Sequence, residues 1–209
     1  MSETQVAVRS FGREPVFIFD PVNTSNRPEP GDPVNVWWPI YPQFVRDFFV
    51  RAFGEGLRDG SPGSRVVESE WRRALSRLGD SVNNCPCGAS IFYDPIDPAK
   101  ACWNCHAATV GPLILDVRQR SVVMAVGATI TEDHLKSNEK YRNVLAQIEA
   151  HPNQSGVVVL RNTSEQVWLA RPQGEEEVSI PPGRRFAVRP GTISFGEVHG
   201  SIRATNSPT

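Results

Sequence analysis

Sulfur occurs in reactive form at four positions in this chain, Cys85-Pro86-Cys87 and Cys102-Trp103-Asn104-Cys105, with fourteen residues between the two pairs. Two close pairs of thiols joined by a returning loop suit a tetrahedral metal ion, because each pair presents two soft donors from one tight turn. The pattern predicts a four-cysteine zinc ribbon with Cys85, Cys87, Cys102 and Cys105 as ligands. The Cys-x-x-Cys half has a common ligand spacing, whereas Cys-x-Cys is one residue tighter and places Pro86 in the bend. Gly88 suits a knuckle in which the chain turns through positive φ. Two other uses of the sulfurs stand beside this one. A disulfide framework is disfavoured by the absence of a secretory signal, and a redox Cys-x-x-Cys leaves Cys85 and Cys87 without a role. His106, next to Cys105, is an alternative ligand, although four sulfurs already complete the set and favour a polar residue following the knuckle.

Four thiolates around one ion leave no position for an activated water, so the expected Zn²⁺ is structural and not hydrolytic. In so short a segment the metal carries most of the local folding free energy, on the order of 10 kcal/mol.

The elements that must position these cysteines are read from composition and periodicity. At 209 residues there is room for two units and a metal clip, and 18 Pro with 16 Gly at 39% hydrophobic content points to a globular chain rich in turns and strands. Lys+Arg 22 against Asp+Glu 23 is balanced, which weighs against a nucleic-acid footprint. No apolar run has the length of a membrane span and no signal peptide precedes residue 12, so the expected location is cytoplasmic.

Residues 1–40 read as an extended, Pro-rich segment whose Phe17, Phe19, Trp37 and Trp38 lie over a neighbouring surface. Residues 41–80 read as two helices. The first starts at Pro42, carries Phe44, Val45, Phe48, Phe49, Ala52 and Phe53 on one face and stops at Gly54 and Gly56; the second starts near Glu68 with Trp71, Leu75 and Leu78 inward and Arg72, Arg73 and Arg77 outward. Residues 81–110 hold the ribbon. From 111 to 204 the period becomes that of strands, with runs at Leu113 to Val117, Val144 to Ala150, Gly156 to Arg161, Gln166 to Ala170, Glu177 to Ile180, Arg185 to Val188, Thr192 to Phe195 and Val198 to Arg203. Helix is expected there only within Asp133 to Tyr141, and residues 205–209 form a tail. His134 and His151 read as loop histidines. The expected fold class is therefore α+β, with an N-terminal helix pair, a central zinc ribbon and a C-terminal all-β sandwich.

Two resemblances bear on function. Pro15-Val16-Phe17-Ile18-Phe19-Asp20-Pro21, Tyr41-Pro42, Ala52-Phe53, Gly56-Leu57, Arg65 and Glu70-Trp71 resemble the end of the C-lobe and the following non-catalytic tail of bacterial serine/threonine protein-kinase-like proteins. The second half is similar to a forkhead-associated (FHA) domain, through Val122 to Gly127, Leu160-Arg161-Asn162-Thr163-Ser164 and Arg189-Pro190-Gly191-Thr192-Ile193-Ser194-Phe195-Gly196. The first resemblance implies a partner in a bacterial phosphorylation or stress system: a kinase lobe, a phosphatase or a von Willebrand A-type protein. The second implies a sandwich fold without phosphothreonine reading, since Ala128 follows Gly127 where that family has arginine, and Asn162 is not followed by Gly. The Gly-rich loop, Val-Ala-x-Lys, His-Arg-Asp and Asp-Phe-Gly of a kinase are all missing, so no catalysis is expected.

The expected function is a docking or regulatory module, with Phe17, Trp37, Trp38, Phe44 and Phe48 as partner-binding candidates, because large aromatics are the usual interface anchors. The same rings also suit a self-contained core. The alternative is a zinc-ribbon protein that binds nucleic acid through Arg58, Arg65, Arg72, Arg73 and Arg77. A hydrolase using Asp94, Asp97 or His106 has the least support.

Overall fold

The computed structural model describes residues 15–55, 65–95 and 101–205, together with Gln5. The fold is mixed helix and sheet, mostly strand, and every strand pair is antiparallel. The chain divides into two compact units, Met1–Leu78 and Gly79–Thr209. Among the described residues no helix is long and apolar enough to cross a membrane.

The first unit is organised by rings. A short helix α1 (Val34–Trp37) runs into a 3-10 turn at Trp38–Ile40, where extended backbone was expected. The prolines allow this because Pro33 caps α1 and Pro39 sits at the start of the next turn, positions that need no backbone N–H. Pro42 precedes helix α2 (Gln43–Val50), which widens into a π turn at Arg51–Glu55. Helix α3 (Glu68–Asp80) opens with Glu68 and Glu70 and closes with Arg77, charges that complement its dipole. Trp71 receives Phe48 and Phe49 edge-on at 4.6 and 5.2 Å, while Trp38 stacks on Phe19 at 4.5 Å. Along α3 the half-buried stripe steps from Trp71 to Ala74 and Leu78, so Leu75, expected inward, is 54% exposed. Gly56, expected to end the first helix, lies outside the described residues.

In the second unit a two-stranded hairpin, β1 (Val82–Asn84) and β2 (Ser90–Phe92), precedes two larger sheets. The remaining strands are β3 (Leu113–Val117), β4 (Arg120–Val123), β5 (Thr129–Thr131), β6 (Val144–Ala150), β7 (Val158–Asn162), β8 (Trp168–Pro172), β9 (Val178–Ile180), β10 (Arg185–Ala187), β11 (Gly191–Phe195) and β12 (Val198–Ala204). They form a six-stranded sheet in the order β4-β3-β12-β11-β8-β9 and a four-stranded sheet in the order β10-β7-β6-β5. Leu115, Val117, Val122, Trp168, Ala170, Ile193, Phe195 and Ile202 from the first sheet share one core with Ile130, Ala146, Ile148, Leu160 and Phe186 from the second. Alternation along each strand produces that shared face; β8, for example, buries Trp168, Ala170 and Pro172 and exposes Leu169 and Arg171. At Gly191 a side chain would overlap the Arg171 carbonyl, so β11 passes β8 only because this residue has no Cβ.

Two polar knots fasten this unit. Asn162, fully buried, donates from Nδ2 to the carbonyls of Gln166 at 2.7 Å and Ile180 at 2.9 Å, and its Oδ1 accepts from the backbone N–H and hydroxyl of Ser164 at 2.9 and 2.8 Å. The second knot surrounds helix α4 (Glu132–Lys136), and His134, expected in a loop, is buried there. Thr131 and His134 form a reciprocal cap, and the His134 Nδ1 accepts the Thr131 backbone N–H at 2.9 Å. The ring proton therefore lies on Nε2, which donates to Asp80 Oδ1 at 3.0 Å. Arg120 bridges Asp80 at 3.2 Å and Asp133 at 3.0 Å, so four charged or polar groups share one partly buried site. Beside it, hydrogen bonds from Asn143, Lys136 and Asn138 hold the Glu132 carboxyl down to about 2.

Replacing Asn162 with Ala strands two buried carbonyls at once, which at about 1–3 kcal/mol for each unsatisfied group gives an expected loss of about 3 kcal/mol. Amide exchange in β7, β8 and β9 at increasing urea reads that loss; protection unchanged from the parent chain would show that the side chain is dispensable.

Candidate metal centre

The cysteines come together from two short turns whose backbone is fixed before any metal is considered. Around the first pair, Cys85 N–H donates to the Ala89 carbonyl at 2.9 Å and Gly88 N–H to the Cys85 carbonyl at 2.9 Å. Gly88 has φ of +89°, the conformation expected for the knuckle glycine. Around the second pair, Cys102 N–H reaches the Ala107 carbonyl and His106 N–H the Cys102 carbonyl, both at 2.9 Å. The β1–β2 hairpin carries the first turn at its tip, and an isolated bridge between Ala101 and Ala108 closes the second. Trp103 joins the two, donating its indole N–H to the Ser90 carbonyl at 2.9 Å and packing against Cys85, Ile91 and Cys102.

All four sulfurs lie within 4.8 Å of one another. Cys85 Sγ is 3.6 Å from Cys105 Sγ, and Cys87 Sγ is 3.8 Å from Cys102 Sγ, each contact pairing a sulfur of one turn with a sulfur of the other. A tetrahedral ion with metal–sulfur bonds of about 2.3 Å has sulfur–sulfur edges of about 3.8 Å, so the spacing fits a tetrathiolate site. None of the four is in a disulfide. Cys85 and Cys102 are buried, whereas Cys87 and Cys105 face solvent.

Asn104 aims two N–H groups at sulfur, its backbone amide at Cys102 and its side chain at Cys87. The Ala89 N–H, then the Asn104 side chain at 3.6 Å and the Cys85 thiol pull Cys87 down to about 6. The Cys105 N–H lowers Cys102 against the opposing effect of burial, and the Asn104 N–H, 3.4 Å away, adds to it. At Cys85 the Cys87 N–H also lowers the thiol, but burial and the sulfurs of Cys87, Cys105 and Cys102 outweigh it and push it up to about 12. The protons are therefore unequally held among closely spaced thiols, an arrangement that a divalent cation resolves by displacing them.

His106, the alternative ligand, is exposed with φ of +58° and is not among the residues whose donor atoms converge. The hydrolytic candidates are not gathered either: Asp94 is buried away from the sulfurs' cluster, and Asp97 lies outside the described residues. Sequence reasoning did not single out Asn104, although its position inside Cys-x-x-Cys was the signal, since the residue two after the first cysteine of a knuckle offers its N–H to that sulfur.

The partner-binding candidates lie in the first unit. Phe17 contacts Phe19, Trp38 and Phe53 at 6.2, 5.7 and 5.9 Å, and Phe48 packs on Trp71. Phe44 lies under the Arg77 guanidinium at 3.8 Å. Trp37 is 49% exposed. Of the five, Trp37 alone presents half its surface to solvent, while Phe17, Trp38, Phe44 and Phe48 are half-buried. Of the proposed nucleic-acid arginines, Arg72 pairs with Glu68 at 2.7 Å, Arg77 covers Phe44, and Arg58 lies outside the described residues.

Comparison with models of known protein families, with curated proteins and with solved structures finds no match.

Because the tip has little apolar core besides Ile91 and Trp103, removing the metal should release it selectively. The expected result of chelation is fast amide exchange across residues 82–92 and 101–108, with β3 to β12 still protected. Equal protection with and without chelator would contradict a metal-held tip.

Proposed function

We propose that this chain is a non-catalytic protein-interaction module organised by a structural zinc ribbon. The observation that carries the reading is the convergence of four sulfurs, two from each turn, at tetrahedral spacing. Four soft donors suit Zn²⁺ and fill its coordination sphere, so the ion braces the turns and leaves no site for water activation. The ribbon's role is then to hold a surface. Tyr93, just beyond β2, packs on Ile114 and Val123 of the six-stranded sheet and on Ala125 after β4, and Asn84 Nδ2 donates to the Val126 carbonyl at 2.8 Å. These contacts support a ribbon mounted on a β-sandwich rather than one that hangs free.

Zinc bound in this way would supply rigidity alone. Cys85, Cys87, Cys102 and Cys105 would hold it, Asn104 would orient two of the sulfurs, and Trp103 would exclude water from the buried side. The FHA-like half is read as a scaffold, because every polar atom of the Asn162 side chain is already used within the β7–β8 loop and strand β9. The resemblance to kinase-like tails assigns the partner to a bacterial phosphorylation system, and the exposed Trp37 supports the first unit as the docking side. The nucleic-acid reading is weaker, since arginines that would serve it are engaged with Glu68 and with Phe44.

Affinity capture on the zinc-loaded chain from its native lysate, with nuclease and a salt series, tests this. The reading predicts a defined kinase lobe, phosphatase or von Willebrand A-type protein retained at high salt and reduced tenfold or more by Trp37→Ala. Nucleic acid as the retained material, leaving steeply as salt rises, would overturn it.

A further inference from the structure

The four sulfurs are equivalent in a formula but not in this structure, and the differences single out one of them. Cys85 and Cys102 are buried behind Ile91 and Trp103. Cys87 and Cys105 form the solvent-facing edge of the centre. Cys87 is nonetheless shielded in electronic terms, because the Asn104 side-chain amide donates to its sulfur at 3.6 Å. Among the described residues no N–H group is directed at Cys105 Sγ; its near neighbour is the Cys85 sulfur at 3.6 Å.

N–H donors stabilise sulfur's negative charge and draw density from the lone pairs, so a thiolate without them is the better nucleophile at the same metal. Exposure decides which thiolates a small electrophile can reach, and hydrogen bonding decides which of those it meets as the stronger nucleophile. Both tests select Cys105.

Resting on the zinc-ribbon reading, we propose that the centre is a peroxide-responsive switch in which Cys105 is oxidised first and closes a disulfide with Cys85, releasing the zinc. The oxidant is a hydroperoxide supplied from outside the protein. The Cys105 thiolate attacks one peroxide oxygen, the O–O bond breaks, hydroxide leaves, and Cys105 becomes a sulfenic acid. The Cys85 thiolate then attacks the Cys105 sulfur, forming the S–S bond and expelling a second hydroxide. The two hydroxides take up two protons, giving two waters; the two sulfurs together lose the two electrons that the peroxide gains. Zinc, left with Cys87 and Cys102, dissociates. The new bond joins the same two turns that the metal joined, so oxidation exchanges one cross-link for another and relaxes the second half of the site without parting the hairpin from residues 101–108.

The test uses the full chain, reconstituted with Zn²⁺ and treated with hydrogen peroxide in the presence of a zinc-sensitive dye. Free thiols are then alkylated, and the linkage is mapped by mass spectrometry. The expected result is one zinc released for each Cys85–Cys105 disulfide, with Cys87 and Cys102 recovered as alkylated thiols. Asn104→Ala, which removes the side-chain donor from Cys87 and leaves all four ligands in place, should raise the Cys87–Cys102 linkage from a minor product to one comparable with Cys85–Cys105. A Cys87–Cys102 disulfide as the first product of the parent chain, oxidation to sulfinic acid without a disulfide, or zinc retained with all thiols intact would each overturn the switch while leaving the zinc reading standing. A chain that takes up no zinc on reconstitution would overturn both.

Discussion

Four sulfurs within 4.8 Å of one another are the constraint on which the first part of the second unit depends. Sulfurs so close cannot all carry charge without a cation between them, and as thiols they forgo the bonds that would fix their positions. The apolar material around them is small: Ile91 buried, Ala89 and Trp103 partly so. A hairpin of two three-residue strands is marginal in water without further support. In the proposed reading a tetrahedral ion supplies that support, and Tyr93 and Asn84 seat the tip on β3, β4 and the turn that follows them.

The rest of the unit stands on its own core, where side chains from both sheets exclude water and Trp168 meets Phe195 edge-on at 4.8 Å. Within the second unit the charged cluster of Asp80, Arg120, Asp133 and His134 joins Asp80 and β4 to α4 by directional bonds in place of apolar burial. Such a cluster fixes geometry more than it adds stability, because each buried charge needs its partner in place. In the proposed zinc reading the metal holds an element whose own apolar core is slight, beside a β framework with a large core of its own.

Much of this was legible in the chain. Strand β3 and strands β6 to β12 announce themselves by alternation and by Pro/Gly turns, and the six runs expected between Gly156 and Arg203 overlap β7 to β12 with ends displaced by two residues at most, whereas β4 and β5 are too short to show a period. The cysteine spacing pointed to a site whose donor atoms do converge. What the sequence hid follows from tertiary choices. Leu75 belongs by spacing to the Trp71 stripe, yet Phe48 and Phe49 of α2 pack on Trp71, the half-buried stripe runs on through Ala74 and Leu78, and Leu75 is left exposed. The Pro-rich stretch before Tyr41 reads as extended because prolines usually break helices, but Pro33 and Pro39 occupy the starts of turns where they are tolerated. His134 looked like a loop residue because its partner, Asp80, lies fifty-four positions away, and no local pattern can show such a bond.

Zinc K-edge X-ray absorption on the purified chain tests the central claim most directly. The account predicts one zinc per chain with four sulfur neighbours at about 2.3 Å and no nitrogen or oxygen in the first coordination sphere. A shell containing nitrogen or oxygen, or a chain that binds no zinc at all, would contradict it.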